Sequence, residues 1–294
     1  MWRATLHGVT TPLRLEAPAK LNLSLAVTGR RQDGFHELAS VMVLLELADR
    51  LLLMPGCSGL RIDGITDEVP TEPSRNLAWR GLVAGLGDQP DLACLTVDKR
   101  IPATAGLGGG SSDAAAAWRL GRRWRSGLDA QTSRDELVEL AAIGADVPFF
   151  AAAVPAALVT GIGEHVEPLE PPDPPLEVVL AHPPFGLSTT AVFAELRRDE
   201  FSGASAVGSV QPGLNDLLPA ARRLRPELDE LMALVTAAGG EPHLTGSGPT
   251  LFTATRDPER ADAIAARLER AGVRTTRTRT RTTAASIEVL AEEE

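Results

Sequence analysis

Ile101-Pro102-Ala103-Thr104-Ala105-Gly106-Leu107-Gly108-Gly109-Gly110-Ser111-Ser112 decides how this chain is read. The alternating Leu95-Thr96-Val97-Asp98 before it has the period of a strand. After it come Asp113, the alanines Ala114 to Ala117, Trp118, Arg119 and Leu120, a helix-forming composition with an acid in the first turn. The stretch therefore predicts strand, glycine-rich loop and helix N-terminus. Backbone N–H groups bared by glycine at a helix start form a site for phosphate oxygens. Ser111 and Ser112 add hydroxyl donors at the same place. The alternative is a glycine turn capped by serine, which needs no ligand. No Gly-Lys-Ser/Thr follows the glycines, so the loop is not a Walker A motif. No repeating βαβ unit leads into it, which argues against a dinucleotide fingerprint.

Working outward, the 294 residues allow one large or two ordinary domains. With 44% hydrophobic and 23% charged residues the chain can bury a sizeable core. A net charge of -10 argues against broad binding to nucleic acid or to anionic membranes. The two lysines, Lys20 and Lys99, stand out in an arginine-rich chain. Cys57 and Cys94 fit no metal spacing and suggest no disulfide framework. Neither a run of about 18 apolar residues nor a signal-peptide pattern is present, and a cytoplasmic protein is expected.

Residues 1–11 read as a loose leader. Strand patterns fall at residues 13–16, 21–27, 40–45 and 49–55. Helical spacing over 76–86 has Ser74 as its candidate cap, and a helix at 134–143 has Thr132 or Ser133. Residues 156–160 read as a strand, and Glu170-Pro171-Pro172-Asp173-Pro174-Pro175 is the strongest linker signal. Beyond it, strands are expected at 176–181, 243–244 and 250–254, and helices at 190–196, 227–237 and 258–271. The Thr/Arg alternation over 274–283 predicts a solvent-exposed strand. Strands and helices mix without regular alternation, which gives α+β in two domains, divided as 1–160 and 161–294.

Phosphoryl transfer needs amides for the donor's phosphates, a cation for developing charge and a carboxylate for the acceptor's hydroxyl proton. The glycine loop, Lys20 and Asp146 supply one candidate each. Lys20 and Asn22 share a strand face at period two. Asp146, between Gly144-Ala145 and Val147-Pro148-Phe149-Phe150, is either a pocket carboxylate or a plain helix N-cap. Gly34-Phe35-His36 pairs an aromatic with a histidine after a turn, with a core Phe beside a surface His as the alternative. Thr245-Gly246-Ser247-Gly248 is a hairpin turn or a second phosphate-side contact.

Pro18-Ala19-Lys20-Leu21-Asn22-Leu23, Gly34-Phe35-His36, Pro102 to Ser112, Gly144-Ala145-Asp146-Val147-Pro148 and Leu244-Thr245-Gly246-Ser247-Gly248 occur in the order seen in one family. The chain resembles the galactokinase–homoserine kinase–mevalonate kinase–phosphomevalonate kinase superfamily over nearly its whole length. That resemblance implies an N-terminal ribosomal-protein-S5-like domain, a C-terminal ferredoxin-like α/β-plait domain and an active-site cleft between them. Three of the motifs resemble the branch that uses ATP to phosphorylate the 2-hydroxyl of a cytidine-diphosphate-bearing polyol on the non-mevalonate isoprenoid route. The resemblance implies Lys20 and Asp146 as the catalytic pair. It implies an ATP site of Asn76, Lys99, Pro102, Ala103, Thr104, Ala105, Gly106, Leu107, Gly108, Gly109, Gly110, Ser111 and Ser112. Asn22, Phe35, His36, Thr189 and Phe193 are implied on the cytidine side. Relatives often carry tyrosine at the position of Phe35 and asparagine at that of Asp113; Asp113 is expected to face the helix side. Mg²⁺ is expected with ATP, although no carboxylate is an obvious ligand. A monomer or homodimer, with no nucleic-acid or membrane partner, completes the expectation. A homoserine- or mevalonate-type kinase, or an inactive nucleotide-binding relative, is the rival.

Overall fold

The computed structural model describes residues 11–87, 93–127, 129, 131–208 and 210–290. The expected leader therefore lies outside the described residues except for its last position. Where the sequence suggests four short strands, the structure has two long ones: β1 (Leu13–Arg30) and β2 (His36–Pro55), paired antiparallel. Register shifts between Pro18 and Lys20, Asn22 and Ser24, and Val27 and Gly29 absorb the breaks in alternation. Such bulges re-aim side chains and cluster beside functional sites. Two of the three flank Lys20 and Asn22.

The first half of β2 pairs with β5 (Ala156–Gly161) and the second with β4 (Ala93–Lys99). A parallel strand β3 (Gly59–Gly64), not expected from the sequence, lies beyond β4; β6 (His165–Pro168) pairs with β5, and β11 (Glu288–Val289) with β1. Cys57 and Cys94 pair as a disulfide at this edge, with Cα atoms 5.2 Å apart. The sequence carried no sign of that pairing, because the 37-residue separation closes only when β3 docks on β4.

Helices α1 (Leu77–Leu86) and α2 (Gly109–Ser126) pack backbone to backbone. A Cβ on Gly81 or Gly85 would sit 2.1 or 2.3 Å from the carbonyl oxygens of Ala114 and Trp118, so glycine permits the approach. The cap of α1 is Asn76, not Ser74: its Oδ1 accepts from the N–H groups of Ala78 and Trp79. Helix α3 (Arg134–Leu140) starts with a capping box from Ser133 and Glu136, and α4 (Val147–Ala151) follows at Asp146.

The second sheet has the order β10-β7-β9-β8, all antiparallel: β7 (Glu177–His182), β8 (His243–Leu244), β9 (Leu251–Thr255) and β10 (Arg274–Arg279). The Thr/Arg run is its edge strand. Arg277 and Arg279 are tied by ion pairs to Glu177, Asp262 and Glu46. Helices α5 (Thr189–Glu195), α7 (Glu227–Ala237) and α8 (Pro258–Arg270) match the expected spacing; α6 (Leu218–Leu224) was not foreseen.

The strands change sheet between Pro168 and Glu177, beyond the expected division at 160, and β11 returns to the first sheet. The two sheets also share a core. Leu21, Leu23, Val41 and Val43 from the first meet Val178, Leu180 and Phe252 from the second, with Leu107 of the glycine loop among them. The loop is thereby anchored by an apolar side chain where the sheets meet.

Candidate active site

The glycine loop leaves β4, turns through Gly106 and Gly108 at φ 73° and 71°, and enters α2 at Gly109. Both turning glycines are required twice over. Positive φ disfavours other residues. A Cβ at Gly106 would lie 2.5 Å from the Thr245 carbonyl oxygen, and one at Gly108 would lie 3.0 Å from Cγ of Lys20. The loop is also pinned to β1, because the N–H of Lys20 donates to the Leu107 carbonyl at 3.0 Å.

A cleft of about 620 Å³ opens over this loop. Pro102, Ala103, Thr104, Ala105, Gly106, Leu107, Gly108, Gly109, Gly110 and Ser111 line it, with Lys20, Asn22, Asn76, Lys99, Asp146, Thr189 and Phe193. Ser112 does not. It lies one residue further round the first turn of α2, fully buried, with no partner for its hydroxyl, and faces Leu15 and Phe150. Of the two serines expected to reach phosphate, the helix phase turns one away.

Lys20 and Asp146, 126 positions apart in the sequence, meet here: Nζ lies 3.6 Å from Oδ2. Asp146 stands at the N-cap position of α4, yet its side chain makes no capping bond. The carboxylate is left to the cleft, 30% exposed against 4% for Lys20. The shorter bond of Lys20 goes to Asn22 Oδ1, at 2.5 Å. Asn22 thus lies beside Lys20 and Asp146, with its N–H donating to Thr245 Oγ1 at 3.2 Å.

Lys99 is placed differently. Its ammonium is hydrogen-bonded to Asp49 and, at 2.6 Å, to Asp113 Oδ2. Asp49 Oδ1 accepts from the N–H groups of Arg100 and Ile101 at 2.5 and 2.8 Å, where the loop begins. Burial alone would lower the Lys99 pKa; the charges of Asp113 and Asp49 outweigh it and raise the value. Burial pushes the Asp113 carboxyl well above the ordinary carboxylate range. The charge of Lys99 pulls it down and that of Asp49 pushes it up. Asn76 is likewise engaged, through its cap and a 2.7 Å bond from Nδ2 to the Pro70 carbonyl.

At the other end of the cleft, Thr189 Oγ1 and Ser247 Oγ are 2.8 Å apart. His36 stacks on Phe193 with ring centroids 5.3 Å apart, and its edge meets Phe201. Burial first, then Arg30, lowers the His36 pKa, which favours a neutral ring. Neither His36 nor Phe35 is in the cleft lining: His36 reaches it through Phe193, whereas Phe35, 60% exposed, is not brought into this group.

Two residues escaped the sequence reading. Asn215 Nδ2 donates to the carbonyls of Leu244 and Gly246, fixing the turn at 245–248. Buried Asp216 accepts from the N–H of Val27, and from both the N–H and hydroxyl of Ser202. The signal was an Asn-Asp pair bracketed by Leu214 and Leu217 in a small-residue loop. Among the described residues no group of three or more His, Cys, Asp or Glu could cage a metal, and no helix is long and apolar enough to cross a membrane.

The chain is similar in sequence and fold to a family of kinases. Residues 76–153 match the model of the GHMP kinases N terminal domain, and residues 193–274 that of the GHMP kinases C terminal. Fold and site together define an ATP-dependent small-molecule kinase of the GHMP class. A relative in Nocardia farcinica, 4-diphosphocytidyl-2-C-methyl-D-erythritol kinase, is 40% identical over 292 residues, covering 91% of this chain and 93% of its own. The protein of the same name in Paracoccus denitrificans is 37% identical over 279 residues, covering 87% and 91%. A crystal structure of 4-(cytidine 5'-diphospho)-2C-methyl-D-erythritol kinase superposes with a TM-score of 0.73 at 34% identity, over 91% of this chain and 99% of that one. Homoserine kinase from Cytophaga hutchinsonii, at 16% identity and a TM-score of 0.64, shares the fold. The chain belongs to the 4-diphosphocytidyl-2-C-methyl-D-erythritol kinase family.

Proposed function

We propose that this chain transfers the γ-phosphoryl group of ATP to the 2-hydroxyl of 4-diphosphocytidyl-2-C-methyl-D-erythritol, with Lys20 and Asp146 as the catalytic pair. The observation that carries the assignment is their 3.6 Å approach at the mouth of the glycine loop. The phosphoryl group passes through a loose transition state, so catalysis is positioning plus charge stabilisation. Loop N–H groups at the start of α2 hold the donor phosphates. Asp146 accepts the hydroxyl proton as the oxygen attacks, and Lys20 orients Asp146 and offsets the charge gathering on the transferred group.

The first sheet and its helices form the donor half, with Asn76 and Lys99 shaping its wall. The acceptor half holds the cytidine group against Phe193 and Thr189, with His36 stacked on Phe193 and Phe35 left at the exposed rim. The oxygen donors beside the phosphate loop, the Asp146 carboxylate and the Ser111 hydroxyl among them, fit a magnesium ion carried in on the nucleotide, since no group of carboxylates among the described residues forms a cage of its own. When bound, that ion supplies charge neutralisation on the phosphates. Use of ATP is consistent with a cytoplasmic location.

The test is ADP release across acceptors with and without the cytidine diphosphate group, for the parent chain and Asp146→Asn. The variant should bind ATP normally and lose turnover by about a thousandfold. Parent-like turnover in the variant would remove Asp146 from the mechanism. Equal activity on an acceptor lacking the cytidine group would remove the proposed substrate.

A further inference from the structure

Lys20 is not anchored by a carboxylate. Its tightest bond is to a neutral amide oxygen, Oδ1 of Asn22 at 2.5 Å, while Asp146 stands 3.6 Å off. The amide is itself constrained. Asn22 Nδ2 donates to Ser40 Oγ at 2.8 Å, and the Ser40 hydroxyl donates to the Ser24 carbonyl at 2.7 Å. A serine hydroxyl carries one proton. Ser40 gives that proton to Ser24, so towards Asn22 it can only accept. The amide nitrogen must face Ser40 and the amide oxygen must face Lys20. Asn22 and Ser40 are 2% and 1% exposed, so solvent does not compete for these bonds.

We infer that Ser40 is a positioning residue for phosphoryl transfer: through Asn22 it sets the direction of the Lys20 ammonium. Ser40 sits on β2 and the lysine on β1, where the register shift between Asn22 and Ser24 brings the three side chains into one chain of bonds. A neutral anchor leaves the charge of Lys20 uncancelled. Its remaining N–H groups stay available to Asp146 and to phosphate oxygens. A carboxylate in place of the Asn22 amide would cancel that charge and pull the ammonium away from the reacting group.

This inference rests on the kinase reading above, and the experiment separates the two. Steady-state rates of the full chain with ATP and the cytidyl acceptor are measured for the parent, Ser40→Ala, Ser40→Thr, Asn22→Asp and Asp146→Asn. Ser40→Ala should lower kcat about tenfold while leaving both KM values within about twofold. Ser40→Thr, which restores the hydroxyl, should recover most of that loss. Asn22→Asp should lower kcat roughly a hundredfold, since it replaces the neutral anchor by a charge. A parent-like kcat in Ser40→Ala overturns the role, as does a loss that appears only in KM. A Ser40→Thr variant that folds and recovers nothing also overturns it. Should Ser40→Thr not fold, Asn22→Asp decides alone, and full activity there sinks the inference. If Asp146→Asn is inactive and Ser40→Ala is not impaired, the relay fails and the kinase reading stands. If Asp146→Asn is active, Asp146 leaves the mechanism and the Ser40 arms are still read against the parent; if the parent itself releases no ADP with the cytidyl acceptor, the kinase reading has failed first.

Discussion

Lys20 and Lys99 are the two lysines of the chain, and their side chains are equally buried, each 4% exposed. Lys99 is saturated. Two carboxylates bond its ammonium, one of them also holds the N–H groups at the start of the glycine loop, and the other sits on the helix that follows it. Lys20 is held by an amide, with its one carboxylate set back into the cleft. Burial therefore does not separate the two lysines; the charge of the nearest partner does, and it is what the proposed catalytic role of Lys20 rests on. A cation matched by carboxylates clamps the loop between its two ends. A cation held by a neutral group keeps its charge for a ligand.

The sharpest way to break this contrast is to replace each lysine by methionine. Lys20→Met should lower kcat by about a thousandfold, yet cost less than about 1.5 kcal/mol of stability, since it removes one bond to an amide. Lys99→Met should do the reverse. Removing one partner of a buried ion pair typically costs about 3–5 kcal/mol, and the urea midpoint should fall before any kinetic effect is read. Similar stability losses in both variants would erase the distinction.

What the sequence could show follows the same division. The loop at 101–112 and the meeting of Lys20 with Asp146 beside it were legible, because short stretches carry their chemistry: bare glycines before an alanine helix, and an aspartate flanked by apolar residues. The engagement of Lys99 was not legible. Asp49 reaches it only because β2 pairs with β4, with Arg50 opposite Asp98, and Asp113 only through the phase of α2. The same helix phase hides Ser112. Asn215 and Ser40 act through bonds to strands and turns distant in sequence, which no local pattern announces. In the fold, helix spacing was readable, whereas β1 and β2 were each split in two, since bulges at polar residues interrupt the alternation that marks a strand.

The carboxylates around Lys99 sharpen the comparison further, because they are unequal. Asp49 accepts from the ammonium and from two backbone N–H groups. Asp113 has one oxygen on Lys99 and the other, buried, without a partner. Asp49→Asn should therefore cost about 2 kcal/mol, the worth of hydrogen bonds to a charged group, and raise KM for ATP by loosening the start of the loop. Asp113→Asn should cost nothing at neutral pH and gain slightly. Denaturant melts of the two variants at neutral pH check this order, and a reversal would make Asp113 the ionised member.

The smallest effect is the pH dependence that Asp113 carries. Its folded pKa is raised above the ordinary 3.8, chiefly by burial, so the folded chain holds a proton that the unfolded chain releases. The groups facing it are Lys99 from β4 and Asp49 from β2, and both remain in Asp113→Asn. Near pH 4 parent and variant should melt together. As pH rises from there through the raised pKa, the parent pays for keeping or losing that proton and the variant does not. The variant should gain on the parent across this window by no more than about 2–4 °C, then hold its lead. A parent that gains on Asp113→Asn as pH rises would show that Asp113 is charged and stabilising. Lys99 would then be matched by two full charges, and the difference from Lys20 would be larger than the hydrogen bonds alone imply.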